Sequence, residues 1–200
     1  MSPSSPPSPR ATVRYKGRGH YERALVDEIL DEAVVCHLGL VQEDGSPLVL
    51  PTLFARDGDT LYVHGSPASR LLRTGKKGIE VCLTVMLVDG FVMAKSAFHH
   101  SVNYRSVVVF GTAAEVTDDA EKRRALGLLV DQVHPGRSAE CRAPNDKELQ
   151  ATLVLRLPLD EASAKVRTGG PIDDEEDLSL PYEVGVIPVT TVRGTMVSTP

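Results

Sequence analysis

The sequence predicts a mostly β fold, an antiparallel barrel that is closed or nearly closed, with two or three helices packed outside it. Three observations predict this. Short apolar runs follow one another in hairpin order, with Asp-Gly turns at Asp44-Gly45 and Asp57-Gly58. Few stretches carry the spacing of an amphipathic helix. Regular strand–helix–strand alternation is absent, as are the Gly-rich phosphate loops of dinucleotide and P-loop folds, so a parallel doubly wound sheet is not expected.

The elements follow in order. Met1 to Thr12 is rich in Ser and Pro and has no apolar stretch, so it reads as a disordered leader and not as a signal peptide. Residues 13–200 then read as a single domain. Tyr21 to Glu32 places Leu25, Ile29 and Leu30 on one helical face, with Ala24 and Ala33 beside them. Val34–Val41, Pro47–Ala55 and Thr60–His64 are three strands joined by Asp-Gly turns, a meander. A helix is expected from Ser66 to Thr74, stopping at Gly75 with Lys76 and Lys77 beyond. Ile79–Val88 is a buried strand, and Phe91–Phe98 continues past Asp89-Gly90. Tyr104–Val116 is a long Val-rich strand, and Asp118 or Asp119 starts a helix that runs to Val133 and turns Ala125, Leu128, Leu129 and Val133 inward. Leu153–Leu159, Ala162–Arg167 and Val184–Val192 complete the strands.

Composition narrows the function. The chain has 200 residues, 42% hydrophobic and 24% charged, enough to bury a real core. No apolar run is long enough to span a membrane as a helix. A net charge of −5 argues against a general nucleic-acid binder. The charge is uneven: Arg70, Arg73, Lys76, Lys77, Lys95 and Arg105 give a basic middle suited to a small anion. Asp173 to Asp177 is an acidic run that reads as a solvated loop. Cys36 and Cys82 lie in apolar strands and read as small buried hydrophobes of a reducing cytoplasm, and the three cysteines have no metal-ligand spacing.

Two segments carry chemistry. In Tyr62-Val63-His64-Gly65-Ser66-Pro67-Ala68-Ser69-Arg70, an apolar strand meets a helix start with Ser66 as N-cap and Pro67 at the first helical position. Free N–H groups, the hydroxyls of Ser66 and Ser69 and the Arg70 guanidinium together suit a phosphate. His64, just ahead of that turn, is a candidate proton donor or substrate contact. The second segment, His99-His100-Ser101-Val102-Asn103-Tyr104-Arg105-Ser106, crowds polar residues at the head of an apolar strand. Adjacent histidines point to opposite faces of a strand, so they make a poor joint metal site, and no metal is expected.

The linked motifs HGS…SR, NYRSVVVFG and SAKVRTGGP, within LPTLF through GVIPV, resemble the pyridoxamine 5′-phosphate oxidase-like FMN-binding split β-barrels. Within them the chain is most similar to the subgroup of nitroimidazole-resistance proteins, and the resemblance covers roughly residues 14–193. It implies a homodimer with FMN in an interface cleft. By position it implies that Pro51, Thr52 and Leu53 lie beside the flavin ring and that His64, Ser66, Ser69 and Arg70 lie near its phosphate or ribityl chain. Val81, Cys82, Leu83 and Thr84 would form the wall, and Asn103, Tyr104 and Arg105 would approach from the next strand, with His64 near the reacting centre. Ser163, Lys165 and Arg167 form a cationic stripe that reads either as a solvated face or as an approach to the flavin.

The resemblance therefore implies a cytoplasmic FMN-dependent oxidoreductase reducing a small nitroaromatic or quinone-like acceptor, with NAD(P)H as a donor for which no nicotinamide fingerprint occurs. The R-x-V-L-L-K flavin motif and the substrate-phosphate set of true pyridoxamine-phosphate oxidases are missing, so vitamin B6 oxidation is not implied. Two alternatives stay open. One is the same fold holding deazaflavin or haem, with His99 or His100 as axial ligand; the other is a flavin-binding protein without turnover. Pro135–Pro144 reads as an extra surface segment that shapes or covers the cleft.

Overall fold

The computed structural model describes residues 5–66 and 78–199, which divide into two compact units. The first comprises residues up to Met86 together with Ser106–Lys165, and the second Leu87–Arg105 together with Val166 onward. The helix expected over Ser66–Thr74 lies, beyond Ser66, outside the described residues, and so do Ser69 and Arg70.

The first unit is an antiparallel barrel. Its strands are β1 (Gly19–His20), β2 (Val35–Val41), β3 (Pro47–Asp57), β4 (Thr60–Gly65), β5 (Ile79–Met93, of which the first half lies here), β6 (Ser101–Glu115, its second half), β7 (Leu153–Pro158) and β8 (Glu161–Arg167, up to Lys165). Neighbours run β6-β7-β4-β3-β2-β5, and β5 pairs with β6 as well, so the strands close into the ring of a split barrel. β8 adds to β6, and β1 to β8.

The Asp-Gly turns at 44–45 and 57–58 form where expected, whereas Asp89-Gly90 interrupts nothing: β5 runs through it from Ile79 to Met93, and Gly90 has no positive φ. Gly45 at φ +82° and Gly58 at φ +54° take the left-handed conformation that a side chain resists, which sets the β2–β3 and β3–β4 register. Alternation then sorts the side chains. In β2, Cys36, Leu38 and Leu40 point into the barrel with Phe54, Val81, Leu83 and Val85, while Val35, His37 and Val41 point out.

The helices cover this core. α1 (Arg23–Glu32) buries Val26, Ile29 and Leu30. α2 (Asp119–Val133) is capped by Asp118, whose carboxylate accepts from the Glu121 N–H at 2.7 Å. It packs Ala125 against Tyr62, Val116 and Val154, with Leu126 and Leu128 beside them. The Gln132 amide of α2 donates to the carbonyls of Leu30, Asp31 and Ala33, satisfying groups that the end of α1 leaves open. A short helix absent from the sequence reading, α3 (Asp146–Gln150), follows; Asn145 and Glu148 form a reciprocal capping box at its start. Within the Ser- and Pro-rich segment, Ala11 is buried and Arg10 pairs with both Glu80 and Glu161. None of the helices described is long and apolar enough to cross a membrane.

In the second unit, β9 (Gly185–Pro188), shorter than the Val184–Val192 run suggests, pairs antiparallel with the end of β5, Gly90 opposite Pro188 and Met93 opposite Gly185. A Cβ on Gly90 would sit 2.8 Å from Val186 Cγ1 and 3.1 Å from the Ile187 carbonyl, so the two chains approach closely only with glycine there. The acidic run is exposed from Asp174 to Glu176, as its composition suggests, yet two of its carboxylates are tied down. The Asp173 carboxylate accepts from the Lys95 N–H at 2.8 Å, and Asp174 pairs with His99 at 3.0 Å. The Lys95 ammonium is spent on the Leu180 and Tyr182 carbonyls.

Candidate functional site

Three groupings of candidate residues emerge, two in the first unit and one in the second. On the outer face of the barrel, register places Pro51, His37 and Thr84 in one row across β3, β2 and β5. The next row is Val49, Gly39 and Cys82. Thr52 and Leu53 continue β3, both half-buried. Val49, Val35 and Met86 stay exposed, so this face is largely apolar, broken by the His37 imidazole and the Thr84 hydroxyl and bordered by the Arg10–Glu80 pair. The expected wall of Val81, Cys82, Leu83 and Thr84 is corrected in one respect. Strand alternation turns Val81 and Leu83 into the core, leaving only Cys82 and Thr84 on the outer face. Cys82 is accordingly half-buried, not the buried hydrophobe expected. Cys36 is fully buried, and burial pushes its thiol up to about 12.

The second grouping is a cavity of about 720 Å³. His64, at the end of β4 opposite Val154 of β7, lines it. Leu53 of β3 and Leu126, Leu129 and Val130 of α2 supply apolar wall. The segment after α2 contributes Arg137, Cys141 and Pro144, so the Pro135–Pro144 stretch does shape a cavity of this unit. Nδ1 of His64 is buried without a hydrogen-bond partner, and burial lowers the ring's pKa, which keeps the imidazole neutral. Ser66 follows β4 in an exposed position.

The third grouping belongs to the second unit. Asn103 is buried there; its Nδ2 donates to the Gly169 carbonyl at 3.0 Å, and its Oδ1 accepts from Arg167. Arg167 also donates to the Gly169 and Gly170 carbonyls, both at 3.2 Å. The stripe Ser163, Lys165, Arg167 is therefore no solvated face: Ser163 and Arg167 are buried. Arg105 forks onto Asp89 at 2.9 and 3.1 Å, and Tyr104 between them is half-buried. His99 Nε2 meets Asp174, and His100 Nδ1 lies 2.9 Å from the Ser96 carbonyl, so both candidate axial ligands have other partners. Among the described residues, no group of three or more His, Cys, Asp or Glu side chains is placed to hold a metal ion.

His37 and the cavity residues of α2 were missed from sequence. His37 carries no motif, and its place on the outer face follows only from strand parity once the register is known.

The model of the pyridoxamine 5′-phosphate oxidase family matches residues 22–166, well over half of the chain. The chain belongs to this family. Among solved structures, this family member is similar to the flavocytochrome Anf3 from Azotobacter vinelandii at 41% identity, covering 98% of this chain and 92% of that one with a TM-score of 0.91. It is also similar to an FAD- and haem-binding protein from Mycobacterium smegmatis, at 38% identity over 92% and 89% of the two chains, TM-score 0.86. A proposed 5-nitroimidazole antibiotic resistance protein from Bacteroides thetaiotaomicron shares the fold at 23% identity, covering 74% and 86%, with a TM-score of 0.61. No curated protein matches the chain.

Proposed function

We propose that this family member is a flavin-dependent oxidoreductase that works as a homodimer, with the flavin against the outer face of β2, β3 and β5. The observation that carries this reading is the row Pro51, His37 and Thr84, flanked by exposed Val35, Val49 and Met86. A sheet face this apolar needs a cover, and a flat aromatic ring with a second protomer above it supplies one. The two relatives above 30% identity support the cofactor class, since one is named a flavocytochrome and the other an FAD- and haem-binding protein.

A flavin, when bound, supplies the redox chemistry. The chain's own residues position it: strand backbone at Pro51–Leu53 and Thr84 aligns the ring, His37 offers a hydrogen bond beside it, and Ser66, Ser69 and Arg70, the last two outside the described residues, are the expected phosphate hold. FMN is the flavin the sequence motifs imply, while the Mycobacterium smegmatis relative is named for FAD. A small nitroaromatic or quinone-like acceptor and NAD(P)H as donor complete the reading.

Haem is favoured as a second group by the names of both relatives, and the His64 cavity fits it. A histidine on a strand held by its neighbours, apolar walls and arginines among the lining residues are the donor set that a porphyrin with two carboxylates calls for. When bound, haem supplies one-electron chemistry.

The first test is the absorbance spectrum of the purified protein, followed by cofactor release and chromatography. A flavin spectrum with about one FMN or FAD per chain supports the reading and names the flavin. A protein that neither carries nor takes up flavin overturns it.

A further inference from the structure

We propose that His64 is the axial ligand, through Nε2, of a haem seated in the cavity of the barrel unit, with Arg137 facing the haem carboxylates; this rests on reading the chain as a flavin- and haem-binding protein.

The geometry starts from β4. His64 pairs with Val154 of β7, so the ring leaves a strand pinned on both sides and its position is set by the barrel rather than by a loop. Nδ1 is sealed in protein and has no partner, and no described group bonds the other ring nitrogen. Nε2 is thus the nitrogen that the cavity can reach. A neutral imidazole carries its lone pair on the nitrogen without hydrogen, which is the ligating form.

The volume and lining agree. About 720 Å³ falls within the roughly 300–1,000 Å³ of sites that enclose cofactors. Leu53, Leu126, Leu129 and Val130 give the apolar contact that a macrocycle needs on its faces. The absence of any described cluster of metal-ligating side chains is no obstacle, because a porphyrin brings its own nitrogens and asks the protein for one imidazole.

Three arginines line the cavity, and they are not equally held. Arg123 donates to the Pro144 carbonyl and pairs with Asp146 at 2.6 Å. Arg142 is forked onto Glu148 at 2.7 and 3.0 Å. Arg137 has a single contact at 3.3 Å with Glu140, three residues away on an exposed turn, and such a pair holds weakly. Arg137 is therefore the cation best able to turn towards a carboxylate at the mouth. His134, exposed at the end of α2, also lines the cavity and is the rival ligand. His99 and His100 of the second unit have partners of their own.

The test is hemin titration of the full chain, read by the Soret band, with flavin content measured on the same samples. Wild-type protein is expected to bind about one haem per chain. His64→Ala should lose the Soret shift, keep its flavin and regain the ligated spectrum when imidazole is added. Val130→Trp, which fills the cavity and leaves the imidazole in place, should also block uptake, so the conclusion does not hang on one variant. Arg137→Ala should keep the ligated spectrum and bind hemin about tenfold more weakly, the loss of one charge-assisted contact. An unchanged Soret band in His64→Ala, or its loss in His134→Ala instead, would overturn the assignment. Wild-type protein that takes up flavin but no hemin sinks the haem proposal alone; protein that takes up neither sinks the flavin reading with it.

Discussion

Arg167 and Asn103 satisfy one another in the second unit: the guanidinium donates to the Asn103 amide oxygen, and the Asn103 amide donates onward to the Gly169 carbonyl at 3.0 Å. Both side chains are nearly sealed from solvent, at 7% and 8% exposure, and Arg167 Nε is buried without a partner. The guanidinium is therefore a clamp on the Gly169-Gly170 turn and not a free surface charge. Arg167→Ala should destabilise the protein by about 2–3 kcal/mol, since it strips a charged donor from a buried amide and two carbonyls. Arg167→Lys should recover little of it, because an ammonium lacks the planar fork. Urea unfolding of both variants measures this, and an alanine variant as stable as wild type would show that the clamp carries no load.

The cysteines divide by burial. Cys36 is fully buried with its thiol pushed up to about 12, whereas Cys141 is exposed on the cavity wall. Iodoacetamide at neutral pH should modify Cys141 rapidly and Cys36 only on unfolding. Hemin in the cavity should slow the reaction at Cys141. Because folding raises the Cys36 pKa from an ordinary value near 9.0, its contribution to stability is whole below about pH 9 and falls as pH rises towards 12. Mass mapping after timed alkylation checks the order, and early labelling of Cys36 would contradict it.

The start of α3 should be acid-sensitive. Arg142 and the Asn145 N–H hold the Glu148 carboxyl down at about 2, against 4.5 ordinarily. A carboxyl depressed by folding supports the fold above its unfolded pKa, and that support is lost as pH falls from about 4.5 towards 2. Amide protection at residues 145–150, relative to the unfolded chain at the same pH, should fall over that window, and Glu148→Gln should lower it at neutral pH as well. Protection that does not change with pH in the wild-type protein would count against the box.

Thr84 gives a direct probe of the outer face. Its side chain lies opposite His37 on β2, outside the barrel core. Thr84→Trp should block flavin binding by at least tenfold while leaving the unfolding midpoint close to that of wild type, since no core volume changes. Fluorescence titration with FMN and FAD measures the first, and unaltered affinity would move the flavin away from this face.

Much of the fold was legible in the residues. The Asp-Gly pairs at 44–45 and 57–58 mark turns because glycine alone takes a positive φ cheaply, and both turns are present. Asp118 capping α2 was readable for the same local reason. The N-x-x-E pattern of Asn145 and Glu148 was equally local, yet α3 went unread because five residues carry too little periodicity to stand out. Arg167 shows the limit on the other side. Its alternation with Lys165 and Ser163 left open a solvated face or an approach to the flavin, but Ala162, Ser163 and Ala164 are all buried, so parity could not say which face was covered.

The sequence by itself determined the order of the main strands, the turns at 44–45 and 57–58, the start of α2 and the family, because each of these rests on neighbours within a few residues or on linked motifs. Tertiary structure alone decided what lies across from what. His37 reaches the row of Pro51 and Thr84 only through cross-strand register, and His64 faces a cavity walled by Leu53 and by residues from Arg123 to Thr152, far along the chain. Local conformational preference cannot encode such pairings. They follow from burying one face of each strand in a closed ring, which fixes register and thereby selects the side chains left outside.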